Sequence, residues 1–244
     1  LRNIQVDVAA ITNISEDHFD FHKNISNYTN AKFLLFNKFL DQKGSAVINS
    51  RLKNFKKLLR IINRRKIKKI IFGSKDIYFS GTNRLYLNIY KKKYIIKNLE
   101  INQIEKQNLE CAIACALQLN ICAKSIIKSL HELDSPPGRL QKINYKKING
   151  TVIIDYAHTP DALRNVLESN TFDNFFPSVL FGCGGDRDNS KRKLMGLIAN
   201  NYAYNVYITD DNPRNENPKK IRREILKYCK KGIEIPDRKI AIKT

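Results

Sequence analysis

The chain has 244 residues, of which 42% are hydrophobic, so it can bury one large core or two modest ones and is not predicted to be disordered. Its formal net charge of +21 would by itself favour a nucleic acid or an anionic membrane as a partner. No apolar run reaches the roughly 18 residues of a membrane span, and five cysteines without C-x-x-C spacing predict reduced thiols in the cytoplasm.

Strands and helices alternate in the first third of the chain. Apolar runs predict strands at residues 6–11, 45–48 and 67–72, and helical periodicity predicts a helix at 28–39. This alternation predicts a parallel sheet covered by helices.

A strongly basic segment lies between the second and third predicted strands. Residues 51–70 contain ten Lys or Arg and no acid, while Leu52, Phe55, Leu59 and Ile62 recur along one helical face. The aromatic interleaving of a base-stacking surface is missing. We therefore predict an amphipathic helix with a solvated basic face, and neither a nucleic-acid nor a membrane partner.

The next segment changes character and then breaks. Short Tyr- and Ile-rich runs at 77–96 are typical of antiparallel strands, and helices are predicted at 104–119 and 123–132. Two prolines and a glycine at 136–138 cannot continue a helix. This break predicts a domain boundary, with one domain at 1–138 and a second at 139–244.

The second domain is again predicted to be α/β. Its predicted strands lie at 151–154, 178–181 and 205–208, with helices at 160–167 and 191–201. In an open parallel sheet, ligands gather at the carboxyl ends of the strands. The loops that follow the predicted strands are therefore the candidate sites.

The loop after the first strand is rich in possible metal ligands. Asp17, His18, Asp20 and His22 fall within six residues, and oxygen and imidazole ligands suit a divalent cation beside phosphates. A helix start capped by Ser15 or Asp17 explains the same residues without a metal.

Asp155 and His158 follow the strand predicted at 151–154. A carboxylate at a strand end can accept hydrogen bonds from a ribose, and an imidazole can contact a phosphate or a reacting group. Thr159 before Pro160 is also a good helix start that needs no ligand.

The loop after residues 178–181 contains three glycines between Gly182 and Gly185, then Arg187 and a basic helix start at Lys191 and Arg192. Glycines allow backbone amides to approach an anion, and the guanidinium suits a carboxylate. A plain tight turn explains the glycines equally well.

The loop after residues 205–208 combines acceptors with a donor. Asp211 and Asn212 could accept hydrogen bonds from an ammonium group, and Arg214 could bind a carboxylate, as a zwitterionic ligand requires. An Asx-turn before Pro213 is the alternative.

Taken in this order, these segments resemble the Mur ligase family, and within it the UDP-N-acetylmuramoyl-tripeptide synthetases. The resemblance covers essentially the whole chain and is weakest at 52–102. It rests on Thr-Asn-Ile-Ser-Glu-Asp-His-Phe-Asp-Phe-His from Thr12, Tyr28, Ala31-Lys32, Leu35-Phe36, Pro137-Gly138-Arg139, and residues 155–163, 181–195 and 211–214.

The resemblance implies an α/β fold in which part of a central P-loop-type ATPase domain precedes a Rossmann-like domain. It implies an ATP-dependent, ADP-forming ligase of peptidoglycan biosynthesis that activates D-glutamate of UDP-N-acetylmuramoyl-L-alanyl-D-glutamate as an acyl phosphate and joins it to meso-diaminopimelate. The alternatives are a related ligase that adds another amino acid such as L-lysine, and a basic nucleic-acid-binding protein.

The resemblance also implies roles on the nucleotide side. Lys32 corresponds to a lysine that is carbamylated and, with His18, supports Mg²⁺. Carbon dioxide reacts only with a neutral amine and turns it into an anionic oxygen ligand. The other implied contacts are Arg139 to ATP phosphates, Asp155 to the ribose and Asn108 to the adenine, where Glu105 replaces the usual Asn; His158 belongs to this motif without an assigned step.

On the amino-acid side, the resemblance assigns the incoming substrate to Arg187, Asp211, Asn212, Pro213 and Arg214. Arg214 is the expected specificity residue, since its guanidinium would pair with the second carboxylate of diaminopimelate, which lysine lacks.

The resemblance places the phosphate-binding loop and the dipeptide-binding residues upstream of Leu1, because none of the ten glycines begins a G-x-x-x-x-G-K-[ST] or G-T-N-G-K-T sequence. It places a G-K-G-H-E segment of the amino-acid pocket beyond Thr244. We therefore expect a chain that begins within a longer protein and does not turn over ATP alone. We also expect a monomer.

Overall fold

A computed structural model describes residues 4–15, 19–99, 101–134, 136–145, 150–170 and 176–244. The chain forms two compact units, one of Leu1–Ser15 with Asn24–Asp134 and the other of Glu16–Lys23 with Ser135–Thr244. Both combine helices with parallel strands, which confirms the predicted α/β class. No helix within these described ranges is long and apolar enough to cross a membrane.

The first unit is built on a six-stranded sheet. Its first four strands pair in parallel, and the last three form the antiparallel excursion predicted for 77–96. In sheet order the strands are β1 Val6–Ile11, β2 Leu40–Asn49, β3 Lys68–Phe72, β4 Ile77–Ser80, β5 Leu85–Ile89 and β6 Lys92–Ile96.

Helices cover both faces of this sheet, because successive residues of a strand point to opposite faces. On β2, Ala46 and Ile48 belong to one buried cluster and Val47 to another. The first cluster is packed against by α2 (Ile25–Leu34), its π-helical continuation Leu35–Phe39 and α3 (Phe55–Arg64), which contribute apolar side chains to it. The second receives α4 (Gln103–Gln118) and α5 (Ala123–Ser129).

The basic helix is shorter than its charged segment. α3 occupies Phe55–Arg64, within the segment 51–70, and it buries Leu58 and Ile62 completely while Leu59 is half-buried. Leu52, Phe55, Leu59 and Ile62 all contribute to the same buried cluster, as the predicted apolar face requires, and Leu58 is a further buried member that was not predicted.

The second unit contains a three-stranded parallel sheet, in which the strand Val206–Ile208 lies between the strands Gly232–Glu234 and Val179–Phe181. Its core is formed by apolar residues of the sheet and of three helices, including Leu163, Met195, Ile208 and Ile225. The elements are α6 Pro160–Ser169, β9 Val179–Phe181, α7 Ser190–Tyr202, β10 Val206–Ile208, α8 Pro218–Leu226, β11 Gly232–Glu234 and α9 Arg238–Lys243; the short helix α1 (Phe19–His22) is also assigned to this unit.

The strand predicted at 151–154 does not belong to that parallel sheet, which corrects the sequence-based interpretation. It lies within β8 (Gly150–Ile154), which pairs antiparallel with β7 (Gln141–Tyr145) in a separate hairpin. Val152 and Ile154 are each 44% exposed, so this strand lacks the two-sided burial of a parallel-sheet strand. Asp155 therefore follows the second strand of a hairpin and does not lie at the carboxyl end of a parallel-sheet strand.

Candidate functional site

Asp155 ties the end of the hairpin to the chain that precedes it. Its Oδ2 accepts a hydrogen bond from the backbone N–H of Leu140 at 2.9 Å, and its Oδ1 accepts one from Ala157 at 2.8 Å. A carboxylate oxygen has two lone-pair sites, so each oxygen retains capacity for another donor. Asp155 is half-buried and can still be reached by a ligand.

Cationic and aromatic side chains contact one another next to Asp155 in the chain, and we call Arg139, Asp155, Tyr156, His158 and Lys191 the hairpin cluster. The guanidinium carbon of Arg139 lies 4.7 Å from the Tyr156 ring centroid, and the Tyr156 and His158 rings meet edge to face at 5.1 Å. Lys191 Nζ donates to the carbonyl oxygen of His158 at 3.2 Å. The cluster thus combines an exposed arginine, a half-buried lysine and a half-buried carboxylate acceptor.

Thr159 begins α6 as the helix-start alternative predicted. Its buried hydroxyl accepts a hydrogen bond from the backbone N–H of Ala162 at 3.3 Å, and Pro160 occupies the first turn. Thr159 therefore has a structural role at this helix start that needs no ligand.

Two loops of the second unit pack against each other. We call residues 182–189 the glycine loop and residues 209–217 the acidic loop. Gly185 N–H donates to the Asn212 carbonyl oxygen at 2.9 Å, so this amide is not directed at an anion. A Cβ on Gly182 would lie 2.4 Å from the Thr209 oxygen, and one on Gly185 would lie 1.9 Å from the Pro213 oxygen. These two glycines are required by the approach of the acidic loop.

Arg214 connects the two loops through its side chain. Nη1 donates to the carbonyl oxygen of Gly185 at 2.5 Å, and the backbone adopts a positive φ of 49°. The backbone N–H of Arg214 donates to Asn212 Oδ1 at 3.3 Å, as in the Asx-turn alternative. The other predicted amino-acid-side residues are accessible: Arg187, Asp211 and Asn212 are exposed, and Pro213 is half-buried.

Arg192 is not part of a surface anion site, although the sequence placed it in a basic helix start. Its side chain is 1% exposed and is paired with Glu216 and Glu224. The hydrogen bond from Arg192 lowers the pKa of Glu216. Glu216 and Glu224 were not predicted as partners of Arg192, because they lie 24 and 32 residues from it and no local sequence pattern indicates such pairs.

The first unit carries the remaining predicted residues. Lys32 is exposed on α2, with Nζ 5.1 Å from the Tyr28 ring centroid, and Asn108 is exposed on α4. Glu105 accepts the backbone N–H of Asn102 at 2.8 Å, which makes it half of a capping box. His18 lies outside the described residues, and the described residues contain no group of three or more His, Cys, Asp or Glu that could hold a metal ion.

A groove with a volume of about 330 Å³ runs along α8 and coincides with none of the predicted sites. Its lining is mostly basic and consists of Asn217, Lys219, Lys220, Arg223, Glu224 and Lys227.

Comparison with solved structures shows which class of protein shares this fold. A Mycobacterium tuberculosis folylpolyglutamate synthase complexed with ADP and AMPPCP superimposes with a TM-score of 0.77 at 19% identity, over 99% of this chain and 57% of that one. A solved UDP-N-acetylmuramoyl-L-alanyl-D-glutamate–2,6-diaminopimelate ligase gives 0.56 at 28% identity, over 98% and 51%. The fold is therefore the α/β fold that Mur ligases share with folylpolyglutamate synthases.

Residues 1–121 match the Mur ligase middle domain, and residues 138–244 match the Mur ligase, glutamate ligase domain. The chain belongs to the Mur ligase family. The UDP-N-acetylmuramoyl-L-alanyl-D-glutamate–2,6-diaminopimelate ligase of Anaplasma marginale is 35% identical over 99% of this chain and 52% of its own length. The chain thus spans about half the length of the curated relatives that it matches.

Proposed function

We propose that this chain supplies nucleotide-side and amino-acid-side residues of an ATP-dependent ligase that joins meso-diaminopimelate to UDP-N-acetylmuramoyl-L-alanyl-D-glutamate in peptidoglycan synthesis. The observation that carries the proposal is the pairing of the two loops, which fixes Arg214 beside the exposed Asp211 and Asn212. The name and 35% identity of the Anaplasma relative support it.

The incoming amino acid would be bound by the two loops. The guanidinium groups of Arg214 and Arg187 are donor forks for carboxylates, and Asp211 with Asn212 offers oxygen acceptors for an ammonium group. Nη1 of Arg214 donates to the Gly185 carbonyl oxygen, so the other nitrogens of that guanidinium would bind the second carboxylate of diaminopimelate. Pro213, between Asn212 and Arg214, would restrict the backbone of this loop, because its ring fixes φ.

ATP would be bound by the hairpin cluster, whose donors and acceptors fit a nucleotide. Asp155 would accept ribose hydroxyls with its remaining lone pairs, and Arg139 and Lys191 would face phosphates, with His158 beside them. Asn108, in the first unit, is proposed as an adenine contact from the family resemblance alone. When bound, ATP supplies the phosphoryl group that activates the acceptor carboxylate.

Lys32 would carry the carbamate that the family resemblance implies for Mg²⁺ binding; His18, the second implied ligand, lies outside the described residues. The exposure of Lys32 gives carbon dioxide access to Nζ. Carbon-13 NMR with labelled bicarbonate should show a carbamate signal that Lys32→Arg abolishes. Lys38→Arg is the matched control, because Lys38 is also exposed and lies 5.9 Å from an aromatic ring centroid. A signal unchanged by Lys32→Arg would reject this assignment.

The central test is an NMR titration of the chain with meso-diaminopimelate and L-lysine. We expect about tenfold or greater preference for meso-diaminopimelate, and we expect Arg214→Ala to remove the preference, since a charge-assisted hydrogen bond contributes about 1.5–3 kcal/mol. Arg164→Ala is the control, because this exposed arginine lies on α6. Equal binding of both amino acids would favour a ligase for another amino acid, and no binding would reject the proposal.

The groove along α8 and the net charge of +21 favour a second candidate, a nucleic-acid-binding protein. That candidate requires affinity for DNA or RNA that falls steeply with salt, because released counterions drive such binding. Titration of a labelled duplex at two salt concentrations distinguishes it from the ligase. The monomeric state and cytoplasmic location stay predictions.

A further inference from the structure

Arg192 is a buried cation that touches three different segments of the second unit. Nη1 and Nη2 donate to the two Glu216 oxygens at 3.0 and 2.8 Å, Nη1 also donates to Glu224 at 2.7 Å, and Nη2 lies 3.3 Å from the Gly184 carbonyl oxygen. Arg192 lies in the first turn of α7, Gly184 lies in the glycine loop and Glu216 lies in the acidic loop. One guanidinium therefore joins the two loops to a helix.

Glu216 completes the connection from the other side. While its two oxygens accept from Arg192, Oε1 also accepts the backbone N–H of Asp186 at 2.6 Å. Asp186 Oδ2 in turn accepts from the backbone N–H and the side-chain amide of Asn215, each at 3.0 Å. These bonds join the glycine loop to the acidic loop immediately after Arg214.

We propose that Arg192 and Glu216 are positioning residues that hold the glycine and acidic loops together before the amino acid binds, and thereby fix the guanidinium of Arg214. The inference rests on the proposed function, because it assigns the two loops to the amino-acid substrate. A binding loop that is ordered in advance loses less conformational entropy when its ligand arrives.

A role in holding the loops can be separated from a contribution to overall stability. Glu224 also pairs with the buried Arg192, but it lies on α8, so this ion pair joins α7 to α8. Glu224→Ala therefore removes one carboxylate from Arg192 and keeps the bond between Arg192 and the acidic loop. Glu216→Ala removes that bond and also the acceptor of the Asp186 N–H.

The experiment compares the chain with its Glu216→Ala, Glu224→Ala and Arg192→Lys variants. Amide hydrogen exchange at Gly185, Asp186 and Asn215 reports on the loops, thermal unfolding reports on overall stability, and NMR titration reports the affinity for meso-diaminopimelate. In Glu216→Ala we expect loop exchange to accelerate, and affinity to fall, by about tenfold or more. Glu224→Ala should change both by less than about threefold, and Arg192→Lys should lie between them because lysine lacks the planar fork.

Equal loop exchange in Glu216→Ala and Glu224→Ala would overturn the inference. An affinity that follows the unfolding temperature across the three variants, irrespective of which residue was changed, would also overturn it. If the unmodified chain does not bind meso-diaminopimelate, the proposed function fails, and loop exchange alone still decides whether Arg192 and Glu216 hold the loops.

Discussion

The guanidinium of Arg214 donates a hydrogen bond to the carbonyl oxygen of Gly185, with 2.5 Å between Nη1 and that oxygen. A Cβ on the neighbouring Gly184 would lie 3.0 Å from the same Nη1. The backbone of the glycine loop thus sets both the orientation of the arginine and the space that it occupies. A substitution at Gly184 or Gly185 should therefore displace the Arg214 guanidinium while its charge stays the same.

Gly185→Ala should destabilise the second unit and separate the two loops. The new Cβ would lie 1.9 Å from the Pro213 carbonyl oxygen, a backbone atom, so the chain itself must shift. We expect a loss of about 1–3 kcal/mol in the free energy of unfolding, measured by denaturant titration, together with weaker binding of meso-diaminopimelate. Gly184→Ala is the matched control for stability, since there the nearest atom, at 3.0 Å, is the end of the Arg214 side chain and not a backbone atom. Equal stability losses in both variants would contradict this interpretation.

Asp155→Asn should weaken the hairpin. The asparagine side chain has one oxygen in place of two, so either Leu140 or Ala157 loses the acceptor of its backbone N–H. An unpaired buried N–H costs about 1–3 kcal/mol, which thermal unfolding should detect. Asp161→Asn, an exposed change in the first turn of α6, is the control. Faster amide exchange at Leu140 or Ala157 should accompany the loss, and an unchanged rate at both would argue against it.

The first unit should lose stability as the pH rises, because of Glu110. This α4 side chain is 2% exposed; its Oε1 accepts the Phe79 N–H at 2.7 Å, and its Oε2 has no hydrogen-bond partner among the described residues. Burial raises the pKa of Glu110, against the hydrogen bond from Phe79 and the charges of Arg51 and Lys106. Since the folded pKa exceeds the ordinary value, stability is greatest below that value and falls as the pH rises through the folded pKa.

Glu110→Gln removes the charge and keeps one oxygen for the Phe79 N–H. At pH 8 we expect its free energy of unfolding to exceed that of the unmodified chain by about 1–3 kcal/mol, and the difference should vanish near about pH 4. Denaturant titration at both pH values measures this, with the exposed Glu132→Gln as control. A difference that does not depend on pH would contradict the assignment to Glu110.

The contact between the two loops should loosen in acid. The Arg192 hydrogen bond lowers the pKa of Glu216, so the stabilisation is present above the ordinary value of 4.5 and is lost as the pH falls through the lowered folded value. Amide exchange at Asp186, corrected for its intrinsic pH dependence, should therefore accelerate below that value. Glu216→Gln should remove this acid transition, and its persistence in that variant would assign it to another group.

The sequence by itself determined the alternation of strands and helices and the family, and its Pro-Pro-Gly break predicts a boundary near residue 138. These features depend on local periodicity, turn residues and ordered motifs, which a single chain displays directly. The capping of α6 by Thr159 and Pro160 is equally local, because both partners lie within one helical turn.

Only the tertiary structure decided which arginine is buried and why the glycines are needed. Arg187 and Arg192 lie five residues apart and look alike in the sequence, yet Arg187 is exposed while Arg192 meets Glu216 across 24 residues. Gly182 and Gly185 are needed because the backbone of the acidic loop leaves no room for a Cβ at either position. β8 pairs with β7 and not with the parallel sheet. Each outcome depends on contacts between distant segments, which form only when hydrophobic burial assembles the unit and its charged groups must find partners away from water.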